Sequence, residues 1–172
     1  MALIAFGPHS PVVAENVFIA PTATLIGEVT VSPEVTIMFG AVVRADRDSI
    51  TIGVGSNIQD TVVIHGDPGF PTRIGARVSV GHGAIVHGAQ VEDDCLIGMG
   101  ATLLNGVHLG RGSLVAAGSV ILEGTIIPPG SLVAGVPGKI RRTLSPEESD
   151  AITANAETYR RLGARYREET SS

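Results

Sequence analysis

Branched aliphatic residues recur at every sixth position through most of this chain. One unbroken run occupies residues 13–43, from Val13 to Val43, and another extends from Val91 to Val133. A helix requires a period of 3.6 and an ordinary strand a period of two, so neither explains this spacing. A short strand followed by a corner does explain it, because three such units close one triangular coil. We therefore predict an all-β parallel β-helix of the hexapeptide type.

The composition suits a narrow core built from stacked aliphatic side chains. Of the 172 residues, 22 are glycine, only 3% are aromatic and none is tryptophan. Glycine serves the corners, and large rings have no place inside such a prism. About twenty hexads make about seven coils, each rising roughly 4.8 Å, the distance between neighbouring strands. A chain of this length is expected to form one such unit, which we place at residues 1–140.

The segment after the repeats, SPEESDAITANAETYRRLGARYREE, predicts a C-terminal helix at residues 145–168. Ser145 is a suitable N-cap, Pro146 suits the first helical position, and Glu148 completes a capping box. Apolar or small residues recur at helical spacing, so we expect one face to pack on the prism: Ile152, Ala156, Tyr159, Leu162 or Gly163, and Tyr166. This helix covers the coils or a subunit seam, and Tyr159 is a candidate to overhang a site.

Charge and hydropathy narrow the classes of partner. A net charge of −5 disfavours nucleic acid and anionic membranes. The apolar runs are interrupted every few residues, which excludes a membrane-spanning helix. Cys95 is the only cysteine, so no internal disulfide can form. The first residues, MALIAFGPHS, lack the features of a signal peptide, and we expect a cytoplasmic protein.

Three breaks in the period cluster around the histidines of the central coils. Residues 43–52 contain an insertion of three, residues 64–74 an insertion of four, and residues 86–91 a deletion of one, relative to the period. A solenoid accommodates such changes at its corners, where loops can build a site. The breaks therefore indicate where function is located.

Counting by hexads rather than by residue number places the site residues in space. Arg44, His65 and His87 each follow an inward aliphatic residue, three hexads apart, so they form a column on one face. His82 lies one face earlier, above Asp60. Three histidines with an open fourth position are typical of a catalytic zinc site. A threefold neighbour could bring its own His82 to this column, which predicts a homotrimer with metals at the interfaces.

The three histidines resemble the zinc ligands of the γ-class carbonic anhydrases. His65, His82 and His87 are spaced by seventeen and five residues, and in that family two ligands come from one subunit of a trimer and the third from its neighbour. The resemblance covers residues 12 to about 138 and implies a left-handed coil, an exception to the usual crossover rule. It implies Zn²⁺ as the cofactor, while Fe²⁺ and Co²⁺ also suit imidazole ligands.

Neighbouring segments extend the resemblance to the subunit interface. VVRADRD is similar to the family's segment that carries an interface arginine and aspartate, here Arg44 and Asp46. In NIQDTVVIH, which is similar to the family's signature, Asp60 resembles the interface partner of that arginine. An ion pair at the seam would order the metal site without taking part in the chemistry.

The resemblance also implies an activity, the hydration of CO₂ to bicarbonate. Asn57 and Gln59 of the same signature are similar to residues that line the family's active site. Gln59 would orient the oxygen nucleophile, whose formation requires a metal that lowers the pKa of water from 15.7 towards about 7. Asn57 would donate to the developing bicarbonate oxygens. Tyr159, on the predicted helix, resembles a tyrosine near the family's metal.

Residues suited to proton export differ from those of the family's prototype, which carries an acidic loop and glutamates. Here Arg47 follows Asp46, and Asp67 is the only acid in the short loop between His65 and Ile74. His9 and His108 are candidate substitutes. We therefore expect slow proton transfer and a low activity.

Two other functions remain open from the sequence. The β-helix scaffold also serves acyltransferases, which use CoA-bound donors and a single histidine as base, and a CoA thioesterase belongs to the same alternative. VAGVPGKIRR is similar to the end of many such coils, and Lys139, Arg141 and Arg142 could attract a phosphate-rich cofactor. The second alternative is a non-catalytic homologue that binds metal.

Overall fold

A computed structural model describes residues 1–170 as a parallel β-solenoid of about seven turns followed by one helix. The strands, in chain order, are β1 (Ala2–Ile4), β2 (Val12–Val13), β3 (Phe18–Ile19), β4 (Thr24–Val31), β5 (Thr36–Ile37), β6 (Val42–Ile52), β7 (Asn57–Ile58), β8 (Val63–His65), β9 (Thr72–Ile74), β10 (Ser79–Val80), β11 (Ile85–His87), β12 (Gln90–Val91), β13 (Leu96–Ile97), β14 (Thr102–Leu103), β15 (His108–Leu109), β16 (Leu114–Val115), β17 (Val120–Ile121), β18 (Ile126–Ile127), β19 (Ser131–Gly135) and β20 (Gly138–Thr143). The helix α1 spans Pro146–Thr170.

Parallel pairing stacks these strands into three faces. The first face contains β8, β11, β14 and β17 with the first halves of β4 and β6. The second contains the other halves of β4 and β6 with β9, β12, β15 and β18, and the third runs from β3 to β19, on which β20 folds back antiparallel. The fold predicted from the period, a parallel β-helix of about seven coils with a C-terminal helix, is confirmed.

The core consists of the inward aliphatic residues, which stack in register from coil to coil. On the first face they are all fully buried: Leu25, Val43, Ile64, Val86, Leu103 and Ile121. The insertion of three residues after Val43 lengthens β6 around its corner, and the insertion of four after Ile64 forms a loop between β8 and β9. Both insertions therefore lie at corners and leave the stacked core continuous.

We expect Leu103→Ala to destabilise the fold by about 2–5 kcal/mol, because it opens a cavity between two coils that cannot collapse onto each other. Urea unfolding followed by circular dichroism measures this loss. Leu122→Ala is the matched control, since Leu122 is 51% exposed, and its effect should stay within about 0.5 kcal/mol. A similar loss in both variants would contradict the description of the core.

Helix α1 begins with the capping box that the sequence predicts. Ser145 Oγ accepts a hydrogen bond from Glu148 N, and Glu148 Oε2 accepts one from Ser145 N at 2.9 Å. Ile152, Ala156 and Gly163 are buried against the solenoid. Within residues 1–170, no helix combines the length and apolarity needed to cross a bilayer.

The docking of α1 depends on close contact with the third face. Thr36 donates a hydrogen bond from Oγ1 to the carbonyl oxygen of Tyr159 at 3.1 Å. A Cβ atom at position 163 would collide with the same Thr36 side chain, so only Gly163 allows this approach. The helix thereby places Tyr159 beside the corner that carries His82.

Candidate functional site

Strands β8 and β11 place two imidazoles side by side on the first face. His65 and His87 are paired in register one coil apart. Arg44 follows the pairing of Val43 with Ile64 and occupies the same position one coil earlier. His65 Nδ1 lies 3.0 Å from His87 Nε2. This column is the one that hexad counting predicts.

In each histidine of the column, one ring nitrogen faces the other histidine, and the second, outer nitrogen has its own hydrogen-bond partner. These outer partners indicate which tautomer each ring adopts. Asp46 Oδ1 lies 3.0 Å from His65 Nε2, and an ionised carboxylate only accepts, so His65 carries its proton on Nε2. Asn105 donates from Nδ2 to Asp67 Oδ2 at 3.0 Å, which turns its Oδ1 towards His87 Nδ1 at 2.8 Å. When both imidazoles are neutral, as metal ligation requires, these contacts place the proton of His87 on Nδ1. The two facing nitrogens then both carry lone pairs.

The two facing nitrogens, His65 Nδ1 and His87 Nε2, are the feature of the structure that fits a metal ion. The two nitrogens lie 3.0 Å apart, a separation at which one cation could be bound by both. In tetrahedral zinc sites with Zn–N distances of 2.0–2.1 Å, two imidazole nitrogens lie about 3.3 Å apart. The observed separation is close to that value, so His65 and His87 fit two positions of such a site.

His82 occupies a different corner of the solenoid. Its ring lies over Asp60, with His82 Nδ1 2.8 Å from Asp60 Oδ2, and Tyr159 Oη lies 3.2 Å from His82 Nε2. In residues 1–170 of a single chain, no group of three or more His, Cys, Asp or Glu side chains is placed to hold a metal ion. Each of the three histidines nevertheless has an acceptor on its outer nitrogen, an arrangement typical of histidines that bind metals.

Gln59 and Asn57 form a buried polar chain behind His82. Gln59 Oε1 accepts a hydrogen bond from the His82 backbone N at 3.2 Å, and Gln59 Nε2 donates to Asn57 Oδ1 at 3.1 Å. Asn57 Nδ2 donates to Ser79 Oγ at 2.9 Å. Asn57 has no exposed surface, whereas Gln59 is 5% exposed. The geometry therefore favours Gln59 as the residue that meets a ligand and Asn57 as the residue that holds Gln59.

A cavity of about 380 Å³ opens beside His82, between the third face and α1. Its walls are mainly apolar, and its polar side chains are Gln59, His82, Asn155 and Tyr159. Burial raises the pKa of Tyr159, and the charge of Asp60 adds to the shift, so the hydroxyl stays protonated at neutral pH. Asn155 Oδ1 is buried and has no hydrogen-bond partner among residues 1–170.

The predicted interface residues pair differently within one chain. Arg44 Nη1 lies 2.8 and 2.7 Å from the two carboxylate oxygens of Asp46, while Asp60 contacts His82. Arg44 and Asp60 occupy different faces and are not brought together in a single subunit. Desolvation raises the pKa of Asp46, but hydrogen bonds from Arg44 and His65 outweigh it and lower the pKa below its usual value.

The candidate proton carriers are distributed over the surface. His108 pairs with Glu92 at 2.7 Å on the second face, and His9 lies 3.6 Å from Glu28 near the first coil. In the loop after β8, the hydrogen bond from Asn105 is the main cause that lowers the pKa of Asp67. Asp67 is therefore an ionised acceptor next to the histidine column.

Sequence reasoning did not identify Asn105 as a site residue. It lies one coil above Gly88, as shown by the hydrogen bond from Gly106 N to Gly88 O. Continuing the hexad count by one coil beyond His87 would have placed Asn105 near the column. The contact of Asp46 with His65 also escaped prediction, because it depends on how the inserted residues of β6 bend around the corner.

The chain is similar to two carbonic anhydrases over most of its length. It is 45% identical over 150 residues to a Methanocaldococcus jannaschii protein named as a probable carbonic anhydrase, a match that covers 87% of this chain and 94% of that protein. It is 42% identical over 168 residues, 94% of this chain, to the Arabidopsis thaliana protein named gamma carbonic anhydrase 2, mitochondrial. The chain spans 60% of the length of this plant relative.

The matching repeat family and a similar solved structure both indicate a hexapeptide-repeat scaffold. Residues 71–105 and 88–123 match the family described as hexapeptide repeat of succinyl-transferase. A crystal structure of a Bacillus cereus protein, described provisionally as an acetyltransferase, has a TM-score of 0.95 and 34% identity, with 96% of both chains covered. The scaffold is thus shared by proteins that are named for different functions, and the matches to the archaeal and plant carbonic anhydrases cover 87% and 94% of the chain. The chain belongs to the γ carbonic anhydrase family of hexapeptide-repeat proteins.

Proposed function

We propose that the protein is a γ-type carbonic anhydrase that hydrates CO₂ to bicarbonate at a metal site shared between subunits. The observation that carries this proposal is that His65 Nδ1 and His87 Nε2 face each other at 3.0 Å, while the other ring nitrogen of each histidine lies against an acceptor. Membership of the carbonic anhydrase family supports the same function.

A homotrimer would complete the site. His65 and His87 supply two ligands from one subunit, and the His82 corner of a neighbour would supply the third. Beside the histidine column, the outward residues Val63 and Ile85 are 38% and 39% exposed in the single chain, an apolar strip that a neighbour would cover. In that arrangement Arg44 of one subunit would meet Asp60 of the next, and the pair would hold the seam in register.

The chemistry divides between the metal and the residues around it. Bound to His65, His82 and His87, a divalent ion would lower the pKa of water to about 7 and so make hydroxide available at neutral pH. Zn²⁺ is our first candidate, and Fe²⁺ and Co²⁺ suit the same ligands. Gln59 would orient the attacking oxygen, because Asn57 and Ser79 hold its amide in one position.

The cavity beside His82 suits a small apolar substrate. Its walls come from Leu96, Met99 and Leu114, so CO₂ enters without losing strong hydration. Tyr159 stays protonated and would donate its hydroxyl hydrogen to an oxygen of the bicarbonate product. Proton export has no dedicated acidic loop, and we propose that it limits turnover and keeps the activity low.

Acyl transfer is the second candidate, and one observation favours it. The Bacillus cereus structure with a TM-score of 0.95 is described as an acetyltransferase, and the cavity beside His82 could receive an acyl chain. In this role His82, oriented by Asp60, would act as a general base. Binding of CoA to the metal-free protein would support it, whereas metal binding without hydration would identify a non-catalytic homologue.

The test is stopped-flow CO₂ hydration by purified protein reloaded anaerobically with Zn²⁺, Co²⁺ or Fe²⁺. We expect a metal-dependent rate with at least one of these ions and a stoichiometry of about one ion per subunit, as three ligands per site require. Chelation of the metal should remove the rate. A metal-loaded protein without hydration for any of the three ions would overturn the proposal and direct the search to thioester substrates.

A further inference from the structure

We propose that Asn105, held by Asp67, is a positioning residue that orients His87 as a metal ligand. This inference rests on the proposed metal site and adds two residues that have no place in the histidine set. It concerns three hydrogen-bonded side chains: Asp67 in the loop after β8, His87 in strand β11, and Asn105 at the corner after β14.

The hydrogen bonds among these three side chains have a definite order of donors and acceptors. Asn105 Nδ2 donates to Asp67 Oδ2 at 3.0 Å, so the amide cannot flip without placing two acceptors against each other. Its Oδ1 then accepts from His87 Nδ1 at 2.8 Å. This contact holds the ring of His87 with Nε2 facing His65 Nδ1 at 3.0 Å, and a neutral ring in this position carries its proton on Nδ1.

The backbone near His87 is adapted to this amide. Gly88 has a φ of +59°, and a Cβ atom at this position would collide with Asn105 Oδ1 and with Phe70 Cβ. Gly88 N donates to the carbonyl oxygen of His65, so the two histidine strands stay paired where the glycine turns the chain. The corner thus leaves space for the Asn105 side chain directly after a histidine of the column.

The side chain of Asn105 is not needed for the coil itself. At this corner, successive coils are joined by backbone hydrogen bonds: Gly106 N donates to Gly88 O, and Gly124 N donates to Asn105 O. Glu123 occupies the corresponding corner position one coil further, and its neighbour Gly124 continues the same series of backbone hydrogen bonds. A change at Asn105 should therefore alter the histidine rather than the solenoid.

Removal of an acceptor behind a metal-binding histidine typically weakens metal binding by about 10–100-fold. Without Asn105 Oδ1, the His87 imidazole can rotate and can move its proton to Nε2, which blocks the ligand position. We expect Asn105→Leu to raise the dissociation constant for Co²⁺ by such a factor. The visible spectrum of bound Co²⁺ should change as well, because the ligand geometry is no longer fixed.

The experiment measures Co²⁺ affinity by chelator competition, together with the visible spectrum, oligomeric state and thermal melting. Asn105→Leu is compared with Glu123→Leu, which should bind Co²⁺ like the unmodified protein. A double variant, Asp67→Asn with Asn105→Asp, exchanges the two groups. The carboxylate at position 105 then accepts from His87, and the amide at position 67 donates to that carboxylate. We expect this exchange to restore the affinity to within about threefold, as an intact outer acceptor predicts.

The outcomes separate this inference from the proposed function. If the unmodified protein binds no metal, the metal site itself is wrong. If it binds Co²⁺ and Asn105→Leu binds equally well with the same spectrum, only the positioning role is overturned. A folded double variant as weak as Asn105→Leu would also overturn it, because the exchanged pair keeps the acceptor.

Discussion

We expect His87→Ala to abolish metal binding and to reduce CO₂ hydration to the uncatalysed rate. The substitution deletes one of the two nitrogens that face each other at 3.0 Å, and in the proposed site the two remaining histidines would not hold a divalent ion as three do. Without the metal, the pKa of water returns from about 7 towards 15.7, and hydroxide is no longer available at neutral pH. Metal analysis after gel filtration and stopped-flow hydration measure the two losses.

His108→Ala is the matched control for this variant. His108 is a half-exposed histidine of the second face whose ring contacts Glu92, away from the column. Its removal should leave metal content and hydration unchanged. Full activity of both variants would show that the histidine column is not the catalytic site, whereas a slower rate in His108→Ala with its metal retained would indicate that proton export uses the second face.

We expect mixed trimers of His82→Ala and His87→Ala subunits to recover activity that neither variant has alone. In the proposed homotrimer, each variant by itself would lack a ligand at every site. In a mixture, a site is intact where the His82 corner comes from a His87→Ala subunit and the column comes from a His82→Ala subunit. Random assembly at equal amounts restores about a quarter of the sites in a cyclic trimer. Co-expression with two affinity tags, followed by hydration assays, measures this recovery.

A site built within one subunit behaves differently in the same experiment. No mixture of the two variants would then regain activity, because each subunit would lack one of its own ligands. Mixing His65→Ala with His87→Ala is the control, since both ligands belong to one column and no site becomes complete. Recovery in this control would contradict the assignment of both histidines to one subunit.

The repeat made the fold predictable from the sequence. A six-residue period specifies which residues face inward, and counting coils through the insertions then places residues far apart in sequence on one column. His65 and His87 are separated by 22 positions, yet the count of 18 plus an insertion of four puts them in register. The capping box of α1 was equally predictable, because its two hydrogen bonds join residues three positions apart.

Side-chain partners were less predictable than strand positions. Asn57 was expected to donate to the product, but its side chain is fully buried and its amide donates to Ser79 instead. Arg44 contacts Asp46 within the chain, while Asp60 contacts His82. These contacts depend on rotamers, on the docking of a helix and on the bend of inserted loops, none of which follows from the period.

The sequence by itself determined the solenoid, the column of two histidines and the helix that follows them. Burial of the aliphatic residues at one period decides the solenoid and the column, and local capping and helical spacing decide the helix. The tertiary structure decided the direction of each imidazole, because Asp46, Asp60 and Asn105 offer an acceptor oxygen to one nitrogen of each ring. Such bonds require atoms to meet within about 3 Å, and only the packed coils bring those atoms together.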